Sequence, residues 1–125
     1  MKIALLIGIG GFIGSVGRYM LNRWVHDQLD NFFPLGTMVV NILGSLLIGI
    51  IFGLSLKGSI MSNELKMFLV VGFCGGFTTF SSFTNDGLSL LRDGQVTSFF
   101  LYIGISVIFG LLAVYAGYVL SKIIG

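Results

Sequence analysis

Four long apolar runs, separated by short polar connections, organise this chain. Each is near the ~20 residues that an α-helix needs to cross hydrocarbon. The first reads as a helix over residues 2–22, followed by a polar connection through RWVHDQLDN. There Asp27 and Asp30 hold the segment in water, and Trp24 suits the membrane interface. Pro34 begins the second helix, 34–56, where its missing N–H costs nothing. Lys57-Gly58-Ser59 closes it. The third helix, 64–91, starts near Ser62-Asn63-Glu64, and Arg92-Asp93-Gly94 turns the chain into the fourth, 96–120. With no repeat or linker, residues 1–125 form a single transmembrane domain. The expected fold class is an all-α membrane protein with four transmembrane helices per subunit.

Composition agrees. Hydrophobic residues make up 55% of the chain and charged residues 10%, too little charge to cover the surface of a small water-soluble domain. The first run is long, glycine-patterned and without a clear small-residue cleavage site, so it reads as a span rather than a signal peptide. Cys74 is the only cysteine, which excludes an internal disulfide and a cysteine metal cluster. His26, between Val25 and Asp27, reads as an exposed loop histidine. A net charge of +2 with no basic cluster speaks against nucleic-acid binding. No nucleophile–base pair suggests an enzyme.

Charge hardly orients the chain. One side carries Lys2, Lys57, Lys66 and Lys122; the other carries Arg23 and Arg92, with Arg18 near the end of the first helix. That near-balance gives almost no positive-inside bias and leaves two expectations open: copies inserted both ways, or one orientation fixed by a single charge. Glycines at three- to four-residue spacing in the first, second and fourth helices favour tight helix contact in lipid. Four such helices leave little room for a water-filled path inside one subunit. A conducting path would then lie at a subunit interface, most simply in a homodimer.

Polar side chains at depth are the best pointers to function. The second helix places Thr37, Asn41 and Ser45 on one face, and the fourth offers Ser98, Tyr102 and Ser106. Asn41 can donate N–H groups to an anion or bridge two helices. The two rows together would form a track of donors. Arg18 either holds a neighbouring helix end or gathers anions at a positive mouth. Asp86, the lone acid inside the third run, is expected to pair with Arg18 or a lysine.

The third run is the least helix-like. In GFCGGFTTFSSF, Gly72 to Phe83, the residues Gly72, Gly75 and Gly76 withhold side-chain support, and Thr78-Thr79 compete for backbone groups. A break over 75–79 is expected, within protein rather than facing lipid. Freed carbonyls there would suit a small monovalent cation. Phe80 and Phe83 share a face just beyond, and their ring edges, which are positive, would suit a small anion beside the hydroxyls of Ser81, Ser82 and Thr84.

Three stretches then carry a resemblance over essentially the full chain: GGFIGSVGRY (Gly10–Tyr19), GTMVVNILGSLLIG (Gly36–Gly49) and GFCGGFTTFSSFTND (Gly72–Asp86). The chain resembles the Fluc/CrcB family of fluoride channels, with Ser15 where alanine is usual, Ser82 for threonine, Thr84 for serine and Asp86 for glutamate. The resemblance implies a multi-pass protein of the bacterial inner membrane, in the form of an antiparallel, dual-topology homodimer. It would conduct fluoride passively through two pores and protect the cell from fluoride. It implies that Asn41, Phe80, Phe83, Ser81, Thr84, Tyr102 and Ser106 line the pores and that Arg18 sits at the vestibule. Backbone carbonyls of Gly75 and Thr78 from both subunits would hold a structural sodium ion, Na+, at the dimer centre. The competing expectation is a proton- or cation-coupled fluoride transporter, for which Asp86 is the available acid.

Overall fold

A computed structural model of the chain describes residues 1–29, 33–57 and 61–124. Asp30, Gly58 and Ser59, which figured in the expected connections, lie outside the described residues. The helices are α1 (Lys2–Leu29), α2 (Leu35–Ser55), α3 (63–77), α4 (Phe80–Arg92) and α5 (Val96–Ile124). Four stretches are long and apolar enough to cross a membrane, with α3 and α4 together supplying the third.

Two helices outrun their expected ends. α1 continues through RWVHDQL to Leu29 instead of stopping at residue 22, so His26 is an exposed helical residue, not a loop residue. Polarity marks where a helix leaves hydrocarbon, not where its hydrogen-bond ladder stops, and nothing in RWVHDQL breaks that ladder. For the same reason α5 continues to Ile124.

α3 is composite. A short α turn, Asn63–Lys66, is capped by Ser62, whose hydroxyl accepts from Leu65 N–H at 3.1 Å. It passes into π-helical turns over Met67–Cys74 and closes with Gly75–Phe77. After α4, Gly94 adopts φ 75°, and the N–H groups of Gly94 and Gln95 return to the carbonyls of Leu91 and Leu90 at 3.1 and 2.8 Å. Glycine tolerates that left-handed residue without a Cβ penalty.

Two seams hold the subunit together. In the first, α1 lies against α3 with backbones nearly touching. A methyl group at Gly10 would come 2.5 Å from the Phe68 carbonyl oxygen, one at Gly14 would overlap the Phe73 carbonyl, and one at Gly76 would sit 2.6 Å from Gly11 O. Gly72 and Gly76 therefore serve close approach, not helix breaking as their sequence context suggested. In lipid, where apolar contact gives no net hydrophobic gain, such proximity is what drives helices together.

The second seam joins α2 to α5, which run parallel. Methyls at Gly49 and Gly117 would overlap the carbonyls of Val114 and Leu46, and one at Gly53 would overlap the Ser121 hydroxyl. At the seam's end Lys57 Nζ donates to the Ser121 carbonyl at 2.9 Å, and Lys122 lies 4.6 Å above the Tyr118 ring. Across the bundle Lys2 pairs with Glu64 at 2.7 Å. Only 11% of the α1 span and 6% of the α5 span is buried within the subunit, so lipid or a second copy must cover the rest.

The α1–α3 seam makes a direct prediction. Gly14→Ala should destabilise the protein in detergent by about 1–3 kcal/mol, because backbone atoms cannot move aside as a flexible side chain would. Gly8→Ala, at a site with nothing within 4 Å, should leave the unfolding midpoint near wild type.

Candidate functional site

The site forms where two extended residues separate the helices of the third span. Thr78 (φ −85°, ψ 156°) and Thr79 (φ −151°, ψ 123°) are extended between α3 and α4. The non-helical residues are thus Thr78 and Thr79, a shorter stretch than the expected 75–79, and Gly75–Phe77 remain helical. The threonines stabilise both helix ends. Thr78 N–H and Oγ1 both donate to the Cys74 carbonyl, at 2.9 and 2.8 Å, finishing α3. Thr79 Oγ1 accepts from Ser82 N–H at 3.2 Å and so caps α4.

An extended peptide inside a membrane needs partners for its backbone groups. Asn41 of α2 supplies both for Thr79. Its Oδ1 accepts from Thr79 N–H at 2.9 Å, and its Nδ2 donates to the Thr79 carbonyl at 3.1 Å. The primary amide thus copies a neighbouring backbone strand. The side chain is committed to bridging, the second of the two roles open to it, while the second N–H of Nδ2 remains for another acceptor. Because Thr79 N–H turns to Asn41, the Gly75 carbonyl loses the donor that an uninterrupted helix would offer it.

Arg18 reaches the same place from α1, where its Nε donates to the Gly76 carbonyl at 3.0 Å. A cation at the carbonyl end of a helix complements its dipole. Arg18 therefore ties down the end of α3, as one of its two sequence readings held.

Around this junction Asn41, Ser45, Ile48, Thr78, Thr79, Phe80 and Phe83 line an open groove of about 250 Å³. Among the described residues no carboxylate lines it. Phe80 is 77% exposed, so little within its own subunit covers it, and its ring lies 6.0 Å from that of Phe83. Ser81 and Thr84 are exposed on the adjoining surface. The Ser81 hydroxyl lies 3.3 Å from Thr79 Oγ1, and Thr84 Oγ1 donates to the Ser81 carbonyl at 3.0 Å.

Tyr102 sits elsewhere. It is wholly buried, 5.1 Å from the Phe83 ring and edge-on to Phe33 at 5.6 Å. Its hydroxyl donates to Asp86 Oδ2 at 3.3 Å, and Thr37 lies near the same phenol. Asp86 thus meets Tyr102 rather than the expected Arg18 or lysine. α4 directs it inward toward α5, whereas Arg18 is occupied at the opposite end of the junction.

The parallel register of α2 and α5 brings the two sequence rows together. Thr37 meets Tyr102, and a methyl at Gly110 would lie 3.8 Å from Ser45 Oγ. Asn41 and Ser106 lie one turn along between these pairs and so share a level. The Ser106 Oγ is buried there without a hydrogen-bond partner. Thr79, which the sequence placed in the expected break, is the residue whose backbone Asn41 pairs with. Its hydroxyl stands just before α4, at the N-cap position that threonine favours.

Among the described residues no group of three His, Cys, Asp or Glu could hold a metal ion. A cation here would depend on oxygen donors from the backbone.

These features define a small multi-pass membrane protein with a groove at an interrupted span, where the polar groups of Asn41, Thr78 and Thr79 meet phenylalanine rings. Residues 5–118 match the family described as CrcB-like protein, Camphor Resistance (CrcB), and the chain belongs to that family. It is 51% identical over 120 residues to a protein of Bacteroides fragilis, covering 94% of each chain. It is 43% identical over 122 residues to one of Flavobacterium psychrophilum, covering 98% of each, and 47% identical over 118 residues to one of Chlorobium chlorochromatii, covering 94% of this chain and 91% of the other. All three relatives are named fluoride-specific ion channel FluC. The family is one of ion channels, not enzymes.

If Asn41 replaces the missing backbone partner, Asn41→Leu should orphan the N–H and the carbonyl contact of Thr79. The expected loss is about 1–3 kcal/mol for each orphaned group, read from unfolding of the purified protein in micelles.

Proposed function

We propose that this chain is a fluoride-selective channel through which fluoride leaves the cell down its electrochemical gradient. The observation that carries the reading is the carboxylate-free groove between Asn41, Thr79, Phe80 and Phe83, in a chain whose relatives are named fluoride-specific ion channels. An anion crossing hydrocarbon must exchange water for fixed donors, and a carboxylate beside the path would repel it. The spare N–H of Asn41, the hydroxyls near Thr79 and the positive ring edges of Phe80 and Phe83 offer such donors. Ser81 and Thr84 extend the polar surface, and Ser106 adds a hydroxyl at the level of Asn41. Arg18 contributes positive potential from the α1 side, at the vestibule. Fluoride is small and strongly hydrated, so close-fitting donors that replace its water favour it over larger halides.

One subunit leaves the groove open, and the polar side chains in it are costly to leave facing lipid. A second copy would close it. We assign the working unit as an antiparallel, dual-topology homodimer with two symmetry-related pores, in the bacterial inner membrane. The near-even distribution of Lys and Arg between the two sides supports insertion both ways. At the centre, the Gly75 carbonyl freed from α3 and the carbonyl of extended Thr78 fit a hard monovalent cation, with equivalent oxygens from the partner. Na+ there would supply a fixed positive field, with no titrating side chain.

Asp86 bears on the coupled-transporter alternative. It is hydrogen-bonded to buried Tyr102 and does not line the groove, which supports a passive route.

Purified protein in liposomes should release fluoride far faster than chloride. Phe80→Ile and Asn41→Asp should each reduce fluoride release by at least about tenfold, equivalent to ~1.4 kcal/mol on the barrier. Asp86→Asn should retain fluoride release and show no proton-driven accumulation. No fluoride release from folded wild-type dimers would overturn the channel, whereas proton coupling abolished by Asp86→Asn would favour the transporter.

Topology has its own check. With Cys74→Ser and Gln95→Cys, a membrane-impermeant thiol reagent applied from one side should label about half the copies. Complete or absent labelling from one side would rule out dual insertion.

A further inference from the structure

We propose that the headgroup end of α1 is a binding site for the phosphate of an anionic phospholipid. Depth comes first. α1 has 28 residues, about 42 Å of helix, against ~30 Å of hydrocarbon and 40–45 Å with the headgroup layers. Its apolar run ends at Leu21, so the turns from Asn22 onward lie among headgroups.

There Tyr19, Asn22, Arg23 and His26 line a notch of about 190 Å³, large enough for a phosphate group. Arg23 Nη1 donates to the Tyr19 hydroxyl at 3.3 Å, which orients the guanidinium and leaves its other N–H groups free to meet phosphate oxygens. Asn22 is seated against Gly36 at the start of α2, where a methyl would overlap its Oδ1. His26, one turn beyond Asn22, adds a ring N–H. Asp27 is adjacent in sequence but does not line the notch.

The depth of the notch selects a lipid over free phosphate. Met20 and Trp24, one turn apart on another face of α1, are 64% and 61% exposed at the same level. Trp24 has the amphipathic ring favoured at headgroup level, and Met20 lies one turn deeper to meet the acyl chains. A cationic notch at headgroup level matches a glycerophospholipid, and the positive charge of Arg23 favours an anionic one. None of these side chains lines the Asn41 groove, so the inference stands apart from the channel reading.

The test uses the full-length protein in a zwitterionic detergent. It is titrated with short-chain phosphatidylglycerol, short-chain phosphatidylcholine or inorganic phosphate, and read by native mass spectrometry and by the unfolding midpoint. Wild type should retain phosphatidylglycerol preferentially and rise in midpoint with it, with no response to inorganic phosphate at equal concentration. Arg23→Gln should weaken phosphatidylglycerol binding roughly fivefold, as expected for one basic side chain at the surface, and Arg23→Gln with His26→Gln should weaken it further. Arg92→Gln, which removes a charge on the same side but outside the notch, should bind as wild type. Unchanged binding in the double variant, equal loss in Arg92→Gln, or equally tight binding of inorganic phosphate would each overturn the proposal. The variants' own lipid-free midpoints, expected near wild type because both side chains are exposed, separate lost binding from lost folding.

Discussion

The pairing of the Asn41 side chain with the Thr79 peptide, 2.9 Å at one end and 3.1 Å at the other, is the contact on which the site's geometry turns. An extended residue in hydrocarbon has no water to bond its backbone, and each unsatisfied group costs several kcal/mol. A primary amide has a donor and an acceptor at the spacing of a peptide, so one side chain can satisfy both groups. With Thr79 held, α4 starts at Phe80, the Gly75 carbonyl leaves the helical ladder, and Phe80 and Phe83 stand beside the amide. Thr78 and Thr79 complete the arrangement by bonding the Cys74 carbonyl in the last turns of α3 and the Ser82 N–H in the first turn of α4.

That pairing requires α2 to stand at a fixed distance and rotation, which the glycine seams provide. Gly49, Gly53 and Gly117 bring α2 and α5 to backbone contact, while Gly10, Gly14, Gly72 and Gly76 do so for α1 and α3. At Gly44 a methyl would overlap the Thr78 side chain, so the junction itself rests on a glycine of α2. Small residues thus act at a distance: they carry no polar chemistry, yet they set where the amide of Asn41 and the guanidinium of Arg18 can reach. Because these contacts are backbone against backbone, they resist adjustment, and the groove inherits their rigidity.

The ionisable side chains divide by depth. Lys2, Glu64, Lys57 and Lys122 find partners at the bundle end. Deeper in, Arg18 and Asp86 each have one well-defined neighbour, a helix-terminal carbonyl and a buried phenol. Neither contributes negative charge to the groove lining. This separation lets a polar surface persist in the membrane as a set of hydrogen-bond donors.

Much of this was legible from residue order alone. Four spans follow from apolar runs long enough to cross hydrocarbon. The importance of Asn41, and of the stretch from Gly72 to Phe83, follows from the cost of polar and helix-weakening residues at depth. The three motifs were enough to point to the family. Other features needed the fold. Whether a glycine breaks a helix or lets another approach depends on what lies opposite, and Gly72 and Gly76 face α1. Asp86 met Tyr102 because rotation of α4 aimed it inward, which spacing along one chain cannot reveal. α1 ran on to Leu29 because helical hydrogen bonding does not end where polarity begins. Sequence by itself determined the membrane, the number of crossings and which polar groups had to find partners, since transfer free energies are local to each side chain. Tertiary structure decided which partners they found, because hydrogen bonds act over about 3 Å and only packing brings positions 18 and 76, or 41 and 79, that close.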